Sequence, residues 1–404
     1  MAAGEQLTIA LDANGADAGP AEVARGAQLA ASRATVRVLV FGPVAEMGAA
    51  DAPGVEIVDA PLSVAKAGDP ARAVRAAPQS SIVQAARAVA DGTADALVSG
   101  GSTGAALAAG LFHVKRARGV HRPALAVLVP VHGRPFLLLD CGANVEVRPE
   151  HLVQFAHMGA AFMEVVIGLE RPRVALLSNG VEATKGTEDV QAAHAALADA
   201  AGLRFTGNVE GFAVGTGEAD VIVTDGFTGN VFLKVMEGTA DALLRAVRES
   251  ATASTRAKAG GLLLRPALRR LRDEIDPEAQ GGAFLLGLRR LGVVPHGSFG
   301  ANGIARAIEL AARGVRADVV GRTHERLAAA GALKSRGGRE SPTEAAAGAE
   351  GRESTSEAAA GAEGRESTSE AAAGAEGRES TSEAPAGADG RDTTSDAAAS
   401  VPDS

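Results

Sequence analysis

Between Leu7 and Val294 the chain alternates short runs of branched aliphatic residues with Ala-rich stretches of helical character. The apolar runs are Leu7 to Leu11, Val36 to Phe41, Val55 to Val58, Ala96 to Ser99, Ala124 to Val129, Phe136 to Asp140, Val174 to Leu177, Val221 to Thr224 and Leu291 to Val294. Their length and β-branched content predict strands, and several end in a Gly-, Asp- or Asn-rich turn that opens a helix. That succession predicts a three-layer α/β/α fold around a largely parallel sheet, with ligands at the carboxyl ends of the strands. A helical excursion is expected around 237–276.

From about Arg339 the pattern disappears. A thirteen-residue unit, EAAAGAEGRESTS, begins at Glu344, Glu357 and Glu370, with the drifted copy EAPAGADGRDTTS at Glu383. It has no aromatic and almost no branched aliphatic residue, so it cannot bury enough apolar surface to offset its ordering entropy. The sequence therefore predicts a folded domain over 1–338 and a disordered, acidic, low-complexity tail over 339–404.

Charge sharpens this division. The net charge of -9 comes from the tail, which holds fifteen Asp and Glu against five Arg and leaves 35 basic and 34 acidic residues for the rest. Eleven Phe with no Trp or Tyr leave few stacking platforms, so no nucleic-acid partner is expected. One cysteine, Cys141, cannot form an intramolecular disulfide, and the N-terminus lacks a charged-then-apolar leader pattern. Both features point to the cytoplasm. No apolar run reaches the ~18 residues that indicate a membrane span, so any membrane contact is expected to be peripheral.

The turns carry the candidate chemistry: LDANGAD at Leu11, SGGSTGA at Ser99, LDCGANV at Leu139, NGVEATKG at Asn179, TGNVEG at Thr206 and TDGFTGN at Thr224. Glycine admits positive φ and close backbone approach, and the N–H groups that open a helix bind anions. Gathered at one edge of a sheet, such turns would suit a phosphate-like ligand. Walker-type and dinucleotide glycine motifs, H-E-x-x-H and paired-Cys motifs are absent, so neither a nucleotide cofactor nor a metal is expected.

Several residues have two readings. Gly100 to Gly104 matches G-x-S-x-G between a strand and a helix, with Asp225 and His296 following in nucleophile-elbow order. The same residues, Ser102, Thr103 and Gly104, make an equally good anion-binding turn. Lys185 and Asn230 each stand where a strand-to-helix loop should end; a Lys ammonium suits phosphate and an Asn amide can donate to an oxyanion. Their structural alternatives are a solvated surface Lys and a helix N-cap. His296 is a ligand-facing group or a satisfied loop histidine. Cys141 reads as a buried small residue before it reads as a nucleophile.

Taken in order, LDANGAD, SGGSTGA, LLLDCGANVEVRPEHLVQFAHMG, EATKG, GNVEG, ADVIVTDGFTGNVFLK, GGAFLLG and HGS resemble the acyl-acyl-carrier-protein:phosphate acyltransferases, relatives of phosphate acetyltransferases. The resemblance runs from Leu7 to about Arg313. It implies that 1–338 is a catalytic domain that moves a fatty acyl group from acyl carrier protein to inorganic phosphate, reversibly and with no cofactor. It also implies a homodimer that hands acyl phosphate to a membrane glycerol-3-phosphate acyltransferase. By the same resemblance Lys185 and Asn230 are essential, and Asp12, Gly15, Ser102, Thr103, Gly104, Asn144, Glu182, Asn208, Asp225 and His296 line the substrates. A serine acyltransferase or hydrolase using Ser102, a related dehydrogenase, and a non-catalytic binding module are the competing readings. Asn14 and Ala16 stand where the family usually has Met and Gly, which would strain Ala16 if its φ were positive.

Finally, Leu264, Leu268, Leu271 and Ile275 share a helical face, with Arg265, Arg269, Arg270 and Arg272 around it. This basic amphipathic segment is a candidate contact for acyl carrier protein or anionic membrane, with Pro266 expected in its first turn after Gly260-Gly261.

Overall fold

A computed structural model describes residues 6–334, apart from 49–51, 132–134 and 275. The repeat tail and Ile275 lie outside the described residues. The first part of the chain forms β1 (Leu7–Asp12), α1 (Pro20–Arg33), β2 (Val36–Gly42), α2 (Val44–Met47), β3 (Val55–Asp59), α3 (Pro70–Ala76), α4 (Ser81–Ala90), β4 (Ala96–Ser99) and α5 (Thr103–Ala109). The middle forms β5 (Ala124–Val129), β6 (Phe136–Leu139), α6 (Pro149–Phe162), β7 (Arg173–Ser178), α7 (Glu188–Ala198), β8 (Arg204–Glu210) and β9 (Val221–Val223). A long helical pair, α8 (Gly226–Thr252) and α9 (Thr255–Glu274), precedes α10 (Pro277–Gln280), β10 (Ala283–Leu286), β11 (Leu291–Val294), α11 (Ala301–Arg316) and α12 (Val319–Ala329).

All nine strand runs expected from the pattern are strands. Two more, β8 and β10, complete an eleven-stranded sheet of order β3-β2-β1-β4-β11-β10-β5-β6-β9-β7-β8. Alternation along each strand sends successive residues to opposite faces. Leu7, Ile9 and Leu11 of β1 pack with Val23, Ile304 and Ile308 on one face, and Ala10 packs with Val83, Ala86 and the start of α5 on the other. The three expected layers are present.

Pairing is parallel from β3 through β11 and again from β6 through β8. Three antiparallel pairings separate these blocks: β11 with β10, β10 with β5, and β5 with β6. The second block is therefore reversed. The carboxyl ends of β1, β4 and β11 lie at one edge of the sheet, and those of β6, β9, β7 and β8 at the other. This corrects the expectation of a single edge, because apolar alternation reports a strand's faces and not its direction. TGNVEG, read as a turn, forms most of β8.

The helical excursion expected around 237–276 is the α8–α9 pair. Only Gly226 and Gly229 are buried in α8, and no residue is buried in α9. The Gly260-Gly261 pair does not break the helix. A Cβ on Gly261 would lie 3.1 Å from the Ala251 Cβ, so its lack of a side chain lets α9 approach α8 closely. Pro266 consequently sits inside α9 and not in its first turn. Leu268 and Leu271 are half-buried, whereas Leu262, Leu263 and Leu264 are exposed.

Candidate functional site

At the end of β1, Asp12 is buried and its carboxylate is held from three sides. Oδ1 accepts from the Ser81 hydroxyl at 2.6 Å and the Asn14 N–H at 3.3 Å, and Oδ2 accepts from the Ser99 hydroxyl at 2.8 Å. Burial pushes this carboxyl up to about 6, against the lowering effect of those hydrogen bonds. Asn14 extends the network by donating its amide to Ser81 Oγ at 2.9 Å and to the Ala60 carbonyl at 3.1 Å. Above this floor the two glycine turns meet. A Cβ on Gly15, whose φ is 91°, would fall 2.3 Å from Ala65 Cβ, and one on Gly101 would fall 2.6 Å from the Asn14 carbonyl oxygen.

Ser102 caps α5, its hydroxyl accepting from the Ala105 N–H at 3.4 Å. Thr103 and Gly104 form the first turn of that helix. The base and acid that an elbow would need are engaged elsewhere. Asp225 caps α8 by accepting from the Thr228 N–H at 2.8 Å, and the His296 ring nitrogens lie 2.8 Å from Ser298 Oγ and 3.5 Å from Lys234 Nζ.

At the opposite edge, β6 and β9 end side by side. Asp140 is fully buried; it accepts from the N–H groups of Leu125, Ala143 and Asn144 and from the Asn144 amide. Burial raises its carboxyl above the usual range. Asn144 spends its amide on Asp140 and on the Pro123 carbonyl, both at 2.7 Å, while its own carbonyl accepts from Gly226 N–H at 2.6 Å. Asn144 therefore locks the start of α8 and has no amide proton left for a ligand. Asn230 lies one turn inside α8, where Asp225 is the cap, so it is not an N-cap. Its exposed amide has no hydrogen bond among the described residues, and a Cβ on Gly142 would lie 3.9 Å from Asn230 Cγ.

The β7 and β8 ends form a third station. Lys185 is exposed, with no side-chain partner among the described residues, on a loop closed by Gly186 N–H donating to Asn179 Oδ1 at 2.9 Å. The Glu182 carbonyl accepts from Lys185 N–H at 3.0 Å and from the Asn208 amide at 2.8 Å. Asn208 Oδ1 and Ser178 Oγ are buried and unpartnered among the described residues, which leaves hydrogen-bonding capacity facing this loop.

One element joins the stations. From its start beside Asn144, α8 passes Asn230 near Gly142, Phe232 near Gly211 and Lys234 at His296. His296 follows β11, and the adjoining Gly297 carbonyl accepts from Asp17 N–H at 2.9 Å, tying in the β1 turn. Asn230 and Lys234 are spaced i, i+4 and share a helix face.

Comparison with known proteins now bears on what this arrangement does. The profile of the family described as "Fatty acid synthesis protein" matches residues 7–322. A phosphate acyltransferase from Pelotomaculum thermopropionicum is 44% identical over 314 residues, covering 76% of this chain and 92% of that protein. One from Heliobacterium modesticaldum is 42% identical over 328 residues, covering 80% and 98%. The chain belongs to the phosphate acyltransferase family. A phosphotransacetylase from Streptococcus pyogenes has the same fold, with a TM-score of 0.52 and 17% identity over 78% of this chain and 95% of that one.

Two departures from the family's first motif acquire a physical meaning. Ala16 is not among the positive-φ residues, because Gly15 carries the left-handed step, so the alanine is unstrained. Asn14 is a full member of the Asp12 network. Sequence reasoning missed Ser81, Asp140 and Lys234, which the structure places within these stations. Only Lys234 left a signal, its i, i+4 spacing from Asn230.

Cys141 is buried, and burial together with the Asp140 charge pushes its thiol well up, which removes it as a nucleophile. The one metal-competent grouping found among the described residues joins His121 to Glu150 and His151 in the first turn of α6. There His151 Nδ1 accepts from the Arg148 N–H at 3.1 Å.

Proposed function

We infer that this chain catalyses transfer of a fatty acyl group from acyl carrier protein to inorganic phosphate, and that residues 1–338 are its catalytic domain. The observation that carries this reading is the family match across residues 7–322. It is supported by two unpartnered polar groups, the Lys185 ammonium on the loop after β7 and the Asn230 amide on α8. A phosphate oxygen attacks the thioester carbonyl carbon, and an oxyanion forms. The carbon–sulfur bond then breaks, and the proton of hydrogen phosphate passes to the departing thiolate. Products are acyl phosphate and free acyl carrier thiol.

Phosphate is already a competent nucleophile, so positioning and charge stabilisation dominate catalysis. Lys185 balances phosphate charge, and Asn230 orients phosphate or the carbonyl. The β1 turn, through Gly15 and Ala16, and the turn at Ser102 to Gly104 offer backbone N–H groups to phosphate and the pantetheine arm. Glu182, Asn208, Asp225 and His296 shape the surrounding wall, and Asn144 acts by positioning α8. Incubating the protein with acyl carrier thioester and phosphate tests the reading directly. Mass spectrometry should detect acyl phosphate, and its absence from a folded sample would overturn the assignment.

The working unit is a homodimer that passes acyl phosphate to a membrane glycerol-3-phosphate acyltransferase. The exposed Leu262, Leu263 and Leu264 beside Arg265, Arg269 and Arg270 support peripheral contact of α9 with anionic membrane or acyl carrier protein. Among the described residues no helix is long and apolar enough to cross a membrane. Co-sedimentation with anionic vesicles, and its loss on replacing Arg269, Arg270 and Arg272 with Glu, tests the membrane contact. Sedimentation equilibrium tests the dimer.

A further inference from the structure

A cavity of about 630 Å³ opens beside His296 and runs along α8. One wall is the carboxyl end of β5, through Val127 and Val129, continued by Val131 and Phe299. The other is α8 itself, through Leu233, Met236, Ala240 and Leu244. At about 100° per residue these four positions fall with Asn230 and Lys234 inside one arc of about 160°. The helix face that carries Asn230 and Lys234 thus continues, without turning away, as the apolar wall of the cavity.

We propose that this cavity receives the fatty acyl chain, with the thioester at the Asn230, Lys234 and His296 end and the chain running along α8 past Ala240 toward Leu244. The inference rests on the acyl-transfer reading and extends it to a chain-length determinant. From Asn230 to Leu244 the helix rises about 21 Å, a length that a long fatty chain fills and an acetyl group does not. The volume and apolar lining suit a ligand pocket of ordinary size. Charge points the same way. Glu237, Asp241, Asp276 and Glu278 line the cavity against one cation, Arg272, so a free fatty carboxylate meets an excess of like charge where a neutral acyl thioester does not. The cavity shares His296, which Lys234 of α8 contacts, with the site described above, and this distinguishes the occupant from a second copy of the chain.

Ala240 is the small residue in the middle of the α8 wall, so enlarging it shortens the space beyond it. The full chain and its Ala240→Leu and Ala240→Phe variants are assayed with octanoyl and palmitoyl thioesters of acyl carrier protein. The ratio of kcat/KM for palmitoyl over octanoyl should fall progressively, by roughly tenfold or more for Phe. A ratio within about twofold of wild type for both variants would show that the chain lies elsewhere. If wild type converts neither thioester, the transfer reading fails, and binding of the thioether analogue palmityl-pantetheine decides the cavity separately. Ala240→Phe should weaken that binding by a similar factor, and unchanged binding overturns the proposal. A variant that loses activity on both thioesters is judged by the same binding measurement. A change in sedimentation with an unchanged chain ratio would make the cavity a subunit contact and also overturn the proposal.

Discussion

Gly229→Ala is the smallest change that should disable this enzyme without touching a functional group. Gly229 precedes Asn230 in the first turn of α8, and a Cβ there would stand 1.9 Å from the Asp140 carbonyl oxygen and 2.9 Å from the Thr224 side chain. Real Cβ atoms do not come closer than 3.0 Å, so the start of α8 must move by at least about 1.1 Å. It cannot rotate away freely, because Gly226 N–H is bound to the Asn144 carbonyl and Asp225 caps the turn. A displacement of about 1 Å at a positioned group costs on the order of a hundredfold in rate, or about 2.7 kcal/mol. The overpacking itself should cost about 1–3 kcal/mol of stability, a shift of several degrees in Tm. Gly238→Ala, in the same helix with nothing within 4 Å of its Cβ, is the control and should be neutral or stabilising by up to about 1 kcal/mol. Acyl phosphate production and thermal unfolding are measured for both variants. If Gly229→Ala keeps turnover within about threefold of wild type, the positioning argument for Asn230 fails.

Lys185→Ala and Asn230→Ala should each lower turnover at least about tenfold, near 1.4 kcal/mol, with unfolding curves unchanged; near-normal turnover removes that residue from the mechanism. Ser102→Ala should remain active, because phosphate attacks directly; an acyl ester on Ser102 that turns over at a competent rate would restore the elbow reading. Asp12 links stability to pH. Its carboxyl rises from 3.8 to about 6 on folding, so between those values the native state holds a proton that the unfolded chain has lost. Stability should fall across that window by on the order of 3 kcal/mol and level off above it. Asp12→Asn should flatten that fall in urea unfolding, and parallel pH profiles for the two proteins would contradict it.

How far the fold was legible depended on which property each element encodes. Eight of the nine strand runs are buried on one or both faces, β3 is half-buried at the sheet's edge, and all announce themselves by composition. β8 is an edge strand whose RFTGNVE sequence is half exposed and rich in turn-forming residues, so its pairing with β7 could not be read locally. β10 is four residues between glycines, too short to separate from a loop. At the site, Lys185 and Asn230 were visible as side chains suited to anions. Asp140 was not, because its role comes from four hydrogen bonds received after a turn closes, and Ser81 reaches Asp12 from sixty-nine residues away. The packing of Gly261 against Ala251 likewise has no local signature, so a glycine pair that reads as a helix break serves as a helix contact.

The reversal of the sheet explains why so much of the site depends on α8. With the carboxyl ends of β1, β4 and β11 on one edge and those of β6, β9, β7 and β8 on the other, no single row of loops can surround a substrate. The middle of the sheet, β10 and β5, separates the two parallel blocks. An element that starts at one edge and ends at the other must span that middle. α8 does so: it is anchored at Asn144, carries Asn230 in its second turn, and reaches His296 through Lys234. Its inner face buries only two glycines, Gly226 and Gly229, so the helix is held by close backbone contact at its start and by half-buried Phe232, Leu233 and Met236 beyond. Close contact fixes the register of Asn230 tightly. The looser packing beyond leaves room between α8 and β5 for the cavity at Ala240, so one helix provides a rigid polar end and an accommodating apolar one.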